Sequence, residues 1–217
     1  MRHLYLHGFA SGPLSRKAQF FREKLASAGI PLEIPALDQG DFERLTITGQ
    51  LAFITNLLDG QPAILIGSSM GGYLAALYAA RRPEIDRMVL LAPAFGFGDR
   101  WAETFGAEKV AVWRERGHAE VYHYATRDMR RLSIDLLNDS TAHPAYPPCS
   151  QPTLIFHGTQ DNIVPIAASQ RWASENPHAR LLPLNSGHEL LDVLEPIWEH
   201  SALFLCTPPP STVTLEG

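Results

Sequence analysis

Apolar residues along this chain follow two alternating periods. Short continuous runs at His3-Leu4-Tyr5-Leu6-His7, Ala63-Ile64-Leu65-Ile66, Met88 to Leu91, Thr153 to Phe156 and Arg180 to Leu184 have the length of buried strands. Between them the spacing becomes helical. Ala18, Phe21, Leu25 and Ala28 share one face of a predicted helix over Ser15 to Ala28, capped by Gly29, and Ile47, Leu51, Ile54 and Leu58 stripe a second over Leu45 to Leu58. Further helices are predicted from Ser69 to near Arg82-Pro83, over Pro165 to Ser174 and over Glu189 to Leu205. Leu32 to Leu37 reads as a weaker strand, and Pro35 places it near a sheet edge. Strand–helix units of this size predict an α/β fold, a parallel sheet with helices on both faces. Such a sheet carries its chemistry in the crevice outside the carboxyl ends of the strands.

The alternation breaks from Ala94 to Pro148, which reads as an insertion with helical pieces at Glu108 to Arg116 and Arg127 to Asn138. Phe95, Trp101, Trp113 and Tyr122 are its candidates for an apolar substrate pocket, against the alternative that such aromatics fill a small core of the insertion's own. Arg127, Arg130 and Arg131 read as a solvated helix face. Residues 1–206 are expected to form one domain, and 207–217, with three consecutive prolines, a disordered tail.

Composition narrows the functional classes. The chain has 217 residues, 45% hydrophobic and 19% charged, and a net charge of −5 without a basic run, which argues against nucleic acid or an anionic membrane as partner. Its two cysteines, Cys149 and Cys206, form no CxxC, so neither a disulfide framework nor a zinc site is expected. No apolar run reaches signal-peptide or transmembrane length, and a cytoplasmic location is the default expectation.

The chemistry centres on Gly67-x-Ser69-x-Gly71, which joins an apolar strand directly to a helix. So short a connection forces a strained corner, glycines permit the close approach of the two backbones, and Ser69 is pushed out above the sheet. A serine hydroxyl needs a base within hydrogen-bond reach to act as a nucleophile. Asp161 follows the strand at Thr153 to Phe156, and His188 follows the strand at Arg180 to Leu184. In the order Ser69, Asp161, His188, the histidine would take the serine proton and the aspartate would fix the imidazole tautomer. A tetrahedral intermediate also needs two backbone N–H donors. Met70, after the serine, and Phe9, in the loop after the first strand, are the candidates. His7 is expected to hold that loop in shape.

These motifs resemble the α/β-hydrolase superfamily, most closely its compact bacterial esterases of the YqiA/YcfP type. The matching pieces are Tyr5-Leu6-His7-Gly8-Phe9-Ala10-Ser11 with Lys17 downstream, Gly67-Ser68-Ser69-Met70-Gly71-Gly72-Tyr73, His157-Gly158-x-x-Asp161 and Gly187-His188. The Gly-Ser-Ser-x-Gly-Gly elbow and the His157 to Pro165 run are also similar to acyl-protein thioesterases of mammalian type. The resemblance implies ester or thioester hydrolysis on a small-molecule substrate, without metal or organic cofactor. It also implies that the insertion at 94–148 is a helical cap and that the two N-terminal strands of larger hydrolases are missing, leaving six parallel strands ordered 2-1-3-4-5-6. The leading reading is a serine esterase for small or medium acyl chains. The alternatives are an acyl-(protein) thioesterase and a non-catalytic binding protein on the same scaffold.

Overall fold

The computed structural model describes residues 1–207, so the proline-rich end of the predicted tail lies outside the described residues. Five strands, β1 (Arg2–Leu6), β2 (Ala63–Ser68), β3 (Ile85–Leu91), β6 (Thr153–Gly158) and β7 (Ala179–Leu184), form one sheet in the order β1-β2-β3-β6-β7. Every pairing is parallel. All six residues of β2 are buried, which is why it reads as an unbroken apolar run.

The period of two sorts the strand residues onto two cores. Leu4, Leu6, Leu65, Leu90 and Ile155 face helices α2 (Ile47–Leu58), α3 (Met70–Ala79) and α7 (Ile166–Glu175). Tyr5, Ile64, Ile66, Val89, Leu91 and Phe156 face α1 (Arg16–Ser27) and α8 (Leu194–Cys206) on the opposite side. The helical stripes read from the sequence supply the partners: Ile47, Ile54 and Leu58 on the first face, Ala18, Phe21 and Leu25 on the second. Among the described residues no helix is long and apolar enough to cross a membrane.

Among the described residues the expected six strands are five. Leu32 to Leu37 contributes only a bridge between Glu33 and Leu4, with Tyr5 N–H donating to Glu33 O at 2.8 Å and Glu33 N–H to His3 O at 2.9 Å. Pro31 and Pro35 flank this contact, and neither offers an N–H to extend the ladder. The bridge lies on β1, the position predicted for the second strand.

The cap is also less helical than expected. After α4 (Trp101–Phe105) and α5 (Ala107–Arg116), Gly117 turns the chain with φ 74° into β4 (His118–His123), which pairs antiparallel with β5 (Asp128–Ser133) before α6 (Asp135–Ser140). The helix predicted over Arg127 to Asn138 is therefore half strand. Arg127 sits at the hairpin tip and Arg130 and Arg131 on β5, from which Arg131 pairs with Glu43 at 3.0 Å. Cross-strand pairing with Val121 and Tyr122 outweighs local preference here, because strand propensity depends on what lies opposite.

Candidate active site

Ser69 sits where β2 meets α3, at φ 53° and ψ −118°, a conformation that L-residues rarely adopt. The corner is held by close packing. A Cβ on Gly67 would lie 2.5 Å from the Gly71 carbonyl oxygen, and one on Gly71 would collide with the Leu6 carbonyl. The Ser69 carbonyl is itself fastened, accepting from Gly72 N–H at 2.9 Å, Tyr73 N–H at 3.1 Å and Ala94 N–H at 3.0 Å.

The three predicted polar residues meet at the carboxyl edge of the sheet. His188 Nε2 lies 3.1 Å from Ser69 Oγ, and His188 Nδ1 lies 2.7 Å from Asp161 Oδ2. With Nδ1–H donating a hydrogen bond to the carboxylate, the ring presents Nε2 to the serine as an acceptor.

Asp161 is fixed from every side. Its Oδ1 accepts from Ile163 N–H at 2.9 Å and Val164 N–H at 2.8 Å, and its side chain is fully buried. Burial alone would raise the carboxyl, but hydrogen bonds from His157, His188 and the Val164 amide, together with the histidine charge, hold it well below the usual carboxylate range. His157, to which the motif alone assigns no role, is a further partner of this carboxylate. Its Nε2 lies 3.2 Å from Asp161 Oδ2 and 2.8 Å from Val164 O, while Nδ1 meets Ser169 Oγ at 2.8 Å. The four-residue spacing in His157-Gly158-x-x-Asp161 was the available signal.

The first loop lies against this corner. A Cβ on Gly8 would sit 3.4 Å from Ser69 Cβ. Among the described residues neither Phe9 N–H nor Met70 N–H donates to another backbone group, and Met70, opening α3, has no acceptor within the helix. His7 shapes the loop. Its Nε2 accepts from Leu37 N–H at 3.2 Å, which leaves the proton on Nδ1 to donate to Gly8 O at 3.0 Å. The cap hairpin rests on the same loop through Tyr124 N–H to Ala10 O at 2.8 Å, while Phe9 packs on Phe42 with ring centroids 5.7 Å apart. Lys17 is buried nearby, 4.0 Å from Glu189, the residue after His188, and burial lowers the pKa of its ammonium.

The aromatic candidates for the pocket do not share one wall. Phe95 stacks on Trp172 at 4.8 Å between centroids, deep under the cap. Trp101 and Trp113 pack edge to face at 5.3 Å within the buried core that continues from the sheet into the cap, and Tyr122 points to solvent from β4 beside Tyr124. Trp172 of α7 anchors Phe95 from outside the cap, and truncating this fully buried ring would cost about 3–5 kcal/mol. Among the described residues no group of three His, Cys, Asp or Glu side chains could hold a metal ion.

A family model matches residues 2–205. The chain belongs to the uncharacterised protein family UPF0227. It is 24% identical to the AB hydrolase superfamily protein YisY of Bacillus subtilis, over 85% of this chain and 84% of that protein. It is 26% identical to a pimeloyl-[acyl-carrier protein] methyl ester esterase of Xanthomonas oryzae, over 58% of this chain and 63% of the relative. A palmitoyl-protein thioesterase, ABHD10 of Pongo abelii, is 28% identical over 57% of this chain and 42% of its own length. In three dimensions the chain matches Est1E of Butyrivibrio proteoclasticus with a TM-score of 0.78, 22% identity, and 93% and 86% of the two chains covered. This member of UPF0227 thus has an α/β-hydrolase fold, and its relatives include esterases and a thioesterase.

Proposed function

We propose that this UPF0227 protein is a serine hydrolase that cleaves carboxylic esters of small or medium acyl chains through an acyl-enzyme on Ser69. The observation that carries the reading is the continuous hydrogen-bonded line from Ser69 Oγ through His188 to Asp161, built on a strained corner. Ser69 Oγ attacks the ester carbonyl carbon as its proton passes to His188 Nε2, and ionised Asp161 stabilises the imidazolium. The carbonyl oxygen, now an oxyanion, is held by the Phe9 and Met70 N–H groups. When the carbonyl re-forms, the alkoxide leaves with the proton from His188 and the acyl group stays on Ser69. Water then attacks, gives a proton to His188, and the second collapse releases the carboxylic acid and restores the serine hydroxyl.

In this reading the substrate is a small molecule, residues 1–206 work as one domain, and the protein acts in the cytoplasm. The likeness to a palmitoyl-protein thioesterase favours a second reading on the same machinery, with a thiolate as leaving group. The deciding experiment is hydrolysis of p-nitrophenyl esters from acetate to palmitate, alongside the matching acyl thioesters. Ser69→Ala is expected to lower kcat by about 10⁶-fold. Equal rates for wild type and variant across both series would sink the proposal; turnover of thioesters alone would select the second reading.

A further inference from the structure

Behind the first loop lies a cavity of about 10 Å³ lined by His7, Gly8, Asp38, Gln50, Met70 and His123, among others. That is room for one water-sized group. Through Leu37, Asp38, Leu45 and Gln50 it shares walls with a wider cleft of about 220 Å³.

The polar atoms on this lining are unusual. Gln50 is 1% exposed. Its Nε2–H group donates to Thr46 O at 3.0 Å, which identifies Oε1 as the other amide atom, and Oε1 has no partner among the described residues. A desolvated acceptor of this kind is stabilised by an arriving donor. Asp38 is half-buried on the same wall, and its Oδ1 takes the Gly40 N–H at 3.2 Å, leaving Oδ2 as a second acceptor. His123, also on the lining, is buried. Its Nδ1 accepts from Thr126 N–H at 3.3 Å, so the neutral ring carries its proton on Nε2. Burial keeps that ring below the ordinary histidine pKa and favours the neutral form.

Gln50, Asp38 and His123 of this lining thus carry two free acceptors and one N–H donor beside a space for one oxygen, a set complementary to a hydroxyl group, which donates once and accepts. The cavity also abuts Gly8 and Met70, the neighbours of Ser69 in space and in sequence. We propose that this cavity is a hydroxyl-recognising subsite, in which Gln50 Oε1, Asp38 and His123 receive a hydroxyl carried on the acyl chain a few bonds from the ester carbonyl. The inference rests on ester hydrolysis at Ser69. A site built to pair a substrate hydroxyl discriminates against the analogue without it, because its own polar groups then stay unpaired.

The test compares kcat/KM for p-nitrophenyl 3-hydroxybutyrate and 3-hydroxyhexanoate with that for butyrate and hexanoate, in wild type, Gln50→Leu and Asp38→Asn. Wild type is expected to favour the hydroxylated esters by about 10-fold, and each variant to bring the ratio toward one. Equal kcat/KM for the paired esters in wild type, or a preference that both variants retain, overturns the subsite and leaves ester hydrolysis standing. Turnover of none of the four esters by wild type overturns ester hydrolysis at Ser69 and the subsite with it. Asp38→Asn, at a half-exposed position, decides the matter if Gln50→Leu does not fold.

Discussion

Replacing Asp161 with asparagine tests the site at its most constrained atom pair. The carboxylate accepts four hydrogen bonds: two backbone N–H groups on Oδ1, and the His188 and His157 rings on Oδ2. An asparagine has one acceptor end and one donor end. Turned to accept from Ile163 and Val164, it points its NH₂ at both histidines; turned the other way, it drives the NH₂ into both amides. The first orientation costs less, because His188 can shift its proton to Nε2. That tautomer can no longer accept the Ser69 proton, and a triad caught in it loses about 10⁴-fold in kcat. His157 cannot follow without turning the lone pair of Nε2 onto Val164 O, 2.8 Å away. Losing charge-assisted bonds to a buried carboxylate and stranding one donor should cost about 3 kcal/mol. For a chain of this size that is a fall in Tm of roughly 6–12 °C. Steady-state kinetics on the best p-nitrophenyl ester, with a thermal melt of the same preparation, reads both effects. A variant within tenfold of wild-type kcat would refute the assigned role of the tautomer.

Two further outcomes follow from the geometry. Gly71→Ala places a Cβ against the Leu6 and His7 carbonyls of β1 and its loop, backbone that cannot yield, so the variant should lose activity and most of its soluble yield; a soluble, active Gly71→Ala protein would mean that the elbow packs otherwise. His7 is buried, and burial lowers its pKa although the bond to Gly8 O partly opposes the shift. The unfolded chain therefore takes up a proton near pH 6.5 that the native ring refuses, and stability is lost as pH falls below about 6.5, by at most about 1.4 kcal/mol per pH unit. The Tm of wild type should accordingly drop more steeply than that of His7→Gln between pH 7 and 5, and parallel curves would remove His7 from the account.

Much of this molecule was legible before any coordinates, for a local reason. The elbow needs only five consecutive residues, an apolar run before them and a helical stripe after them. Strand and helix periods likewise show in windows of a few residues, so the alternation, the parallel sheet and the placement of Asp161 and His188 after successive strands could be read directly. What depended on distant partners could not. Leu32 to Leu37 has the apolar content of a strand, but the ladder needs N–H groups that Pro31 and Pro35 lack, and only Glu33 bonds to β1. Arg127 to Asn138 looks helical alone, and its first half becomes a strand because His118 to His123 lies opposite Asp128 to Ser133. The cap aromatics carry no mark that tells a pocket wall from a core. Packing decided it, stacking Phe95 on Trp172 and setting Trp101 edge to face against Trp113 while leaving Tyr122 in solvent. The second grip of His157 on Asp161 and the unpaired Gln50 Oε1 beside the first loop also exist only where separate segments meet. Short-range spacing determined the elements and the order of the chemistry; side-chain contacts between segments far apart in the chain determined which of those residues share a space.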